Sequence, residues 1–146
     1  MTDAIIESTL INAFLTLNEF SNIAYIKKDA NGKLLNVSLP NIEFDELPDK
    51  RHFILNFLSN EPVPAGLGLS AENRYDGFLQ IDILTPLHTG QDEANEKVKW
   101  LCRLFARGKS FDRVTVVKTF RAFQETGLTY YRTVVRVQFY ATLEKD

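Results

Sequence analysis

A period of two runs through RYDGFLQIDILTP, residues 74–86. Tyr75, Gly77, Leu79, Ile81 and Ile83 alternate with Asp76, Phe78, Gln80 and Asp82 until Pro86 ends the run. Successive side chains of an extended strand point to opposite faces, so this stretch reads as a strand with one apolar side. The same period governs residues 130–143. Tyr131, Thr133, Val135, Val137, Phe139, Ala141 and Leu143 alternate with Tyr130, Arg132, Val134, Arg136, Gln138 and Tyr140. Two long alternating strands demand a sheet packed on one side.

Other segments supply the cover. Ile5, Ile6, Leu10, Ala13, Phe14 and Leu17 recur at helical spacing over residues 3–18, with Thr2 placed to cap the start. A second helix over about 91–107 carries Ala94, Val98, Leu101, Cys102 and Phe105 on one stripe. Acids crowd its first turn, Arg103 and Arg107 its last, and Gly108 can close it in the left-handed conformation. HFILNFLS (52–59) reads as a strand apolar on both faces except Asn56, and FDRVTVVKTF (111–120) as another. Asn31-Gly32 predicts a two-residue hairpin turn, residues 39–50 an extended connector, and Glu125-Thr126-Gly127 a turn. Residues 60–73, with two prolines and two glycines, read as a long loop of the kind that is functional or mobile. The order gives one α+β domain over 1–146: a mainly antiparallel sheet of about four to five strands with two helices on one face. The other face requires water or a partner.

Composition limits the partners. The net charge of −2 offers no global attraction to nucleic acid or to an anionic membrane. The N-terminus lacks a signal-peptide pattern, and no apolar run approaches the roughly eighteen residues of a membrane span, so an intracellular protein is expected. One cysteine excludes an intrachain disulfide, and no Cys/His cluster suggests zinc.

The residues do not assemble a reaction. Asp76 and Asp82 share a strand face six residues apart, about 20 Å at ~3.3 Å per residue, whereas a working carboxylate pair needs roughly 5–10 Å. They are expected to be polar positions on a solvated face. His52 and His88 have no second ligand at metal spacing, and Cys102 is expected to be a buried, inert thiol. AGLGLS (65–70) lacks the spacing, lysine and following helix of a phosphate loop, and no nucleophile elbow is present. A small hydrolase using Asp82 or His52 would need a pocket that gathers several titratable groups. No catalytic, cofactor or metal residue is predicted.

The polar side of the last strand is different. Tyr130, Arg132, Arg136 and Tyr140 interleave aromatic and basic groups. Such a face suits a protein interface first, a plain solvated sheet second, and single-stranded nucleic acid third.

A resemblance enters here. An N-terminal helix is followed by the extended LPNIEFDELPDKRHF, a strand, a Pro/Gly loop and a strand of form Arg-x-x-Gly-hydrophobic-x-Gln-hydrophobic-Asp-hydrophobic. Then come Pro, a Gly turn, and a helix with early Ala and terminal Phe-x-x-Gly. This resembles the tail terminator, or tail completion, proteins of long-tailed bacteriophages and prophages, the group similar to that of lambda. The matching positions are Arg74, Gly77, Phe78, Gln80, Ile81, Asp82, Pro86, Gly90, Ala94, Phe105 and Gly108, over residues 39–143, with 24–38 reading as an insertion. The resemblance implies a non-enzymatic virion tail protein assembled in the host bacterial cytoplasm. It implies a ring, typically hexameric, that caps the tail tube, ends tube polymerisation and joins the head-side connector, with nucleic acid only passing through. Arg74, Asp76, Asp82, Tyr130, Arg132, Arg136 and Tyr140 are then candidate interface residues. Pro62, Pro64, Leu67 and Leu69 mark a candidate interface loop, expected to be mobile in the free monomer and ordered in the ring.

Overall fold

The computed structural model describes residues 2–16, 26, 27, 29–31, 33–40, 44, 51–64 and 73–143. Four long strands form the sheet: β2 (His52–Ser59), β4 (Asn73–Pro86), β6 (Val114–Thr126) and β7 (Tyr130–Leu143). Three two-residue strands complete it: β1 (Val37–Ser38), β3 (Val63–Pro64) and β5 (Ser110–Phe111). The order across the sheet is β1-β2-β4-β7-β6-β5, and β3 pairs with the start of β4. The expectation of four to five strands therefore falls short. The missed ones are too short to carry a period, and β1 runs parallel to β2 in an otherwise antiparallel sheet.

β4 and β7 are paired along their whole length, from Asn73 opposite Leu143 to Pro86 opposite Tyr130. With β2 on its other side, β4 is a central strand. β6 reaches six residues beyond the expected end at 120, so the stretch around Glu125 and Thr126 is strand rather than connection. Irregularities at Val117 and Ala122 break its register with β7, which is why its alternation is hard to read. The Gly127 N–H donates to the Tyr130 carbonyl, leaving Leu128 and Thr129 as the hairpin tip.

Helix α1 (Thr2–Leu15) buries Ile6, Leu10, Ala13 and Phe14, one stripe at three- and four-residue spacing. The helix already includes Thr2, and residues 17 and 18 lie outside the described residues. Helix α2 (Asp92–Leu104) buries Ala94, Val98 and Leu101, together with Lys97, Trp100 and Leu104, which the expected apolar stripe did not include. Asp92 and Glu93 occupy its first turn and Arg103 its last, in the order the helix dipole favours. The Phe105 N–H ends it on the Leu101 carbonyl. Gly108 is left-handed at φ +83°, but its N–H bonds the Val116 carbonyl and turns the chain into β5 instead of capping the helix. Phe14 of α1 and Trp100 of α2 both pack on Phe53 of β2, at 5.4 and 5.9 Å between ring centroids. Both helices thus cover the face that carries Phe53, Leu55, Leu79, Ile81, Ile83, Val135, Val137 and Phe139.

Two local features differ from the sequence reading. Near Asn31 the hairpin pairs Asp29 with Lys33 and Lys27 with Leu35, and the Asp29 carboxylate accepts from the Asn31 and Lys33 N–H groups. The side chain of Asp29 therefore organises a loop wider than two residues. In β2 only the first half is buried; Asn56, Leu58 and Ser59 are exposed. Of the 39–50 connector, only Leu39, Pro40 and Phe44 are described. No described helix is long and apolar enough to cross a membrane.

Candidate interaction surface

Alternation sends the second set of side chains to the face without helices. β4 contributes Arg74, Asp76, Phe78, Gln80 and Asp82, and β7 contributes Tyr130, Arg132, Arg136 and Tyr140. All seven candidate interface residues thus lie on adjacent strands of one surface. β6 adds Lys118, Phe120, Phe123 and Glu125 to it, four residues the sequence reading missed because the two irregularities hide their common side.

A hydrogen-bonded relay crosses three strands. Arg136 Nε donates to Gln80 Oε1 at 3.1 Å, and Gln80 Nε2 donates to Asp82 Oδ1 at 3.2 Å. Arg132 places Nε and Nη2 on Asp82 Oδ2 at 2.9 and 2.8 Å, and Nη1 on Glu125 Oε1 at 2.8 Å. Burial pulls the Arg132 guanidinium towards neutrality, but hydrogen bonds and charge from Glu125 and Asp82 outweigh it and raise its pKa. Asp82 is only 3% exposed. The solvated carboxylate expected from the pattern is therefore a buried ion-pair partner, and Arg132 supplies the compensation that such burial requires.

The face has a closed end and an open one. At the closed end Asp82, Leu84, Val134 and His52 are buried. Phe44 lies over the His52 ring at 5.1 Å, and Tyr130 meets it edge-on at 5.3 Å. His52 is thus held in an aromatic slot. At the open end cations lie over rings: Arg74 over Tyr140 at 4.7 Å, Lys118 over Phe120 at 5.1 Å and Arg136 over Phe78 at 5.9 Å. Phe78 and Phe120 also meet edge to face. Asp76 accepts from Asn60 Nδ2 at 2.9 Å. Among the described residues no carboxylate forms an ion pair with Arg74, Lys118 or Arg136.

Exposed apolar side chains flank this surface on both sides. Leu58 and Val63 are 47% and 50% exposed on β2 and β3, and Phe123 is 40% exposed on β6, with Leu128 wholly exposed at the hairpin tip. Of the candidate loop, Pro62 is exposed and Pro64 pairs with Asn73; Leu67 and Leu69 lie outside the described residues.

Elsewhere the titratable groups are scattered. Among the described residues no three His, Cys, Asp or Glu side chains gather to hold a metal. His88 sits in an exposed turn at φ 65°. Cys102 is half-buried rather than buried, with its Sγ 3.8 Å from the Thr119 carbonyl. Burial raises its thiol pKa against the opposing charge of Arg121. A shallow groove between α1 and the β5 turn is lined, among the described residues, by one titratable group, Asp112. On α2, Glu93 bonds Arg51 Nε at 2.7 Å and Lys97 Nζ at 3.1 Å. Burial works against its charge, but these cations hold its pKa below the ordinary value.

Comparison with known proteins gives a family and a fold. The family described as phage tail terminator protein matches residues 21–139, which include the segment 24–38 read as an insertion. A solved chain that carries no functional name has the same fold, with a TM-score of 0.63 and 16% identity over 96% of this chain and 97% of that one. No curated protein is significantly similar.

Proposed function

From the premise that the chain belongs to the phage tail terminator protein family, a family of structural tail proteins, we propose that it acts by self-association into a ring, hexameric by analogy. The ring caps the tail tube of a phage or prophage particle, ends addition of tube subunits and presents a surface to the head-side connector. Assembly takes place in the bacterial cytoplasm.

A closed ring needs two different, mutually complementary patches on each subunit, because head-to-tail contacts close only by rotation. The exposed Leu58 and Val63 at one side of the sheet, and Phe123 and Leu128 at the other, supply apolar patches on opposite flanks. That arrangement is the observation that carries the ring reading. The candidate residues from Arg74 to Tyr140 lie between the flanks and form the remaining contact surface, with the loop at Pro62 and Pro64 extending it.

Light scattering across concentration, followed by electron microscopy with the tube protein, tests this reading. The expected result is a mass that rises to a ring and tubes that stop growing when the protein is added. A strictly monomeric protein beside tubes that keep elongating would overturn it.

A further inference from the structure

We propose that the outer edge of β6 pairs with the outer edge of β2 on a second copy, Gln124 opposite Phe57, so that neighbouring sheets join. This rests on the self-association reading above and names the contact that makes it. β2 and β6 are the outer two of the four long strands, and each is only partly covered on its outer side. β1 lies along Phe53 and Ile54 of β2, and β5 along Val114 and Thr115 of β6. Helix α2 reaches β6 as far as Arg121: Cys102 Sγ donates to the Thr119 carbonyl, and Arg121 Nη2 donates to Asn95 Oδ1. Beyond those points, residues 55–58 and 123–126 meet no described strand on the outer side. An edge of alternating N–H and C=O groups takes an extended polypeptide.

Direction, hydrogen-bond phase and burial fit these two runs to each other. β2, β4, β7 and β6 alternate in direction, so β6 runs opposite to β2. Copies related by rotation about an axis along the strands therefore bring the two edges together antiparallel. In β2 the Phe53 N–H points outward, to the Asn36 carbonyl, and alternation points the N–H and C=O of Phe57 the same way. In β6 the Gly127 N–H bonds Tyr130 within its own hairpin, so Glu125 and Phe123 face β7 while Gln124 and Thr126 face outward. Joining Gln124 to Phe57 lets the two residues exchange both bonds. The same register sets Phe123 opposite Leu58 and Glu125 opposite Asn56. Phe123 and Leu58, 40% and 47% exposed, both lie on the helix-free face, and the joint lays them side by side. Thr126 falls opposite Leu55, so the hairpin tip stops where β1 begins. A closed ring uses one edge of each kind per copy and leaves neither bare.

Proline and cysteine substitutions test the contact. Gln124→Pro removes an N–H that its own sheet does not use, at a position where an edge strand accepts proline. Sedimentation is expected to show association weakened on the order of tenfold. Gln124→Ala keeps the N–H and is expected to associate as the unaltered protein does. Leu58→Cys with Phe123→Cys places two Cβ atoms about 5 Å apart across the joint, so oxidation is expected to give a ladder of covalent oligomers on a denaturing gel. Leu58→Cys with Gln124→Cys, whose side chains lie on opposite faces, is expected to give none. The cysteine arm keeps the test valid should Gln124→Pro fail to fold. Undiminished association of folded Gln124→Pro, or rings of the Leu58→Cys, Phe123→Cys variant that give no ladder, would overturn the contact while leaving the ring reading intact. An unaltered protein that stays monomeric beside growing tubes would remove the ring reading and the contact with it. Loss of tube capping in Gln124→Pro with self-association unchanged would assign the edge to the tube protein and overturn the proposal.

Discussion

Asp82 and Gly77 show how single positions on β4 are fixed by their neighbours. Asp82 is tolerable where it is because Arg132 and Gln80 occupy both of its oxygens. Removing Arg132 leaves a buried carboxylate half-compensated, so Arg132→Ala is expected to lower stability by about 2 kcal/mol, less than the fully buried case because Arg132 keeps some solvent. Replacing both partners, Asp82→Val with Arg132→Met, is expected to return stability close to the original in the same urea titration. Gly77 has a different constraint. A Cβ there would lie 2.2 Å from the Leu58 carbonyl oxygen and 2.8 Å from the Ser59 Cα, both backbone atoms that cannot move aside alone. Phe57 and Phe139 stack across β4 beside it, with centroids 5.4 Å apart and an interplanar angle of 14°. Gly77→Ala is expected to cost about 3 kcal/mol by forcing β2 away from β4, read as a shift in the denaturation midpoint.

At the level of elements, legibility followed periodicity. β4 and β7 were readable because their alternation is unbroken, and α1 and α2 because their stripes are regular. β6 was cut short because an extra residue at Val117 and another at Ala122 invert its pattern midway. β1, β3 and β5 were invisible because two residues carry no period. The polar face was legible on the two regular strands, but its β6 third, with Lys118 and Glu125, was not. Lys97 escaped notice since only the fold brings it over the Phe53 ring, 5.3 Å away, and beside Glu93. That tie between α2 and Arg51 has a pH signature. Glu93 has a lowered folded pKa, so the stability it contributes is present above its unfolded value and lost as pH falls through the folded one. Thermal melts below the ordinary glutamate range are expected to fall more steeply for the unaltered protein than for Glu93→Gln.

For the whole molecule, the proposed association puts its contacts at the two flanks. Leu58→Asp with Val63→Asp alters only exposed positions of β2 and β3, so the unfolding free energy is expected to change by no more than about 0.5 kcal/mol each. Association measured by light scattering is nevertheless expected to be lost, and Leu128→Asp at the opposite flank is expected to do the same. The position of β7 has a further consequence for timing. It lies between β4 and β6 in the sheet, yet it is the last strand of the described chain, and the Arg132–Asp82 bond joins residues fifty positions apart. During synthesis β4 therefore waits with a bare edge until residues 130–143 emerge, and closing so long a loop is a slow step. Tyr130, Arg132, Arg136 and Tyr140 of the helix-free face arrive with that strand. A nascent chain thus has no finished helix-free face, and any contact that uses that face waits until its own sheet has closed.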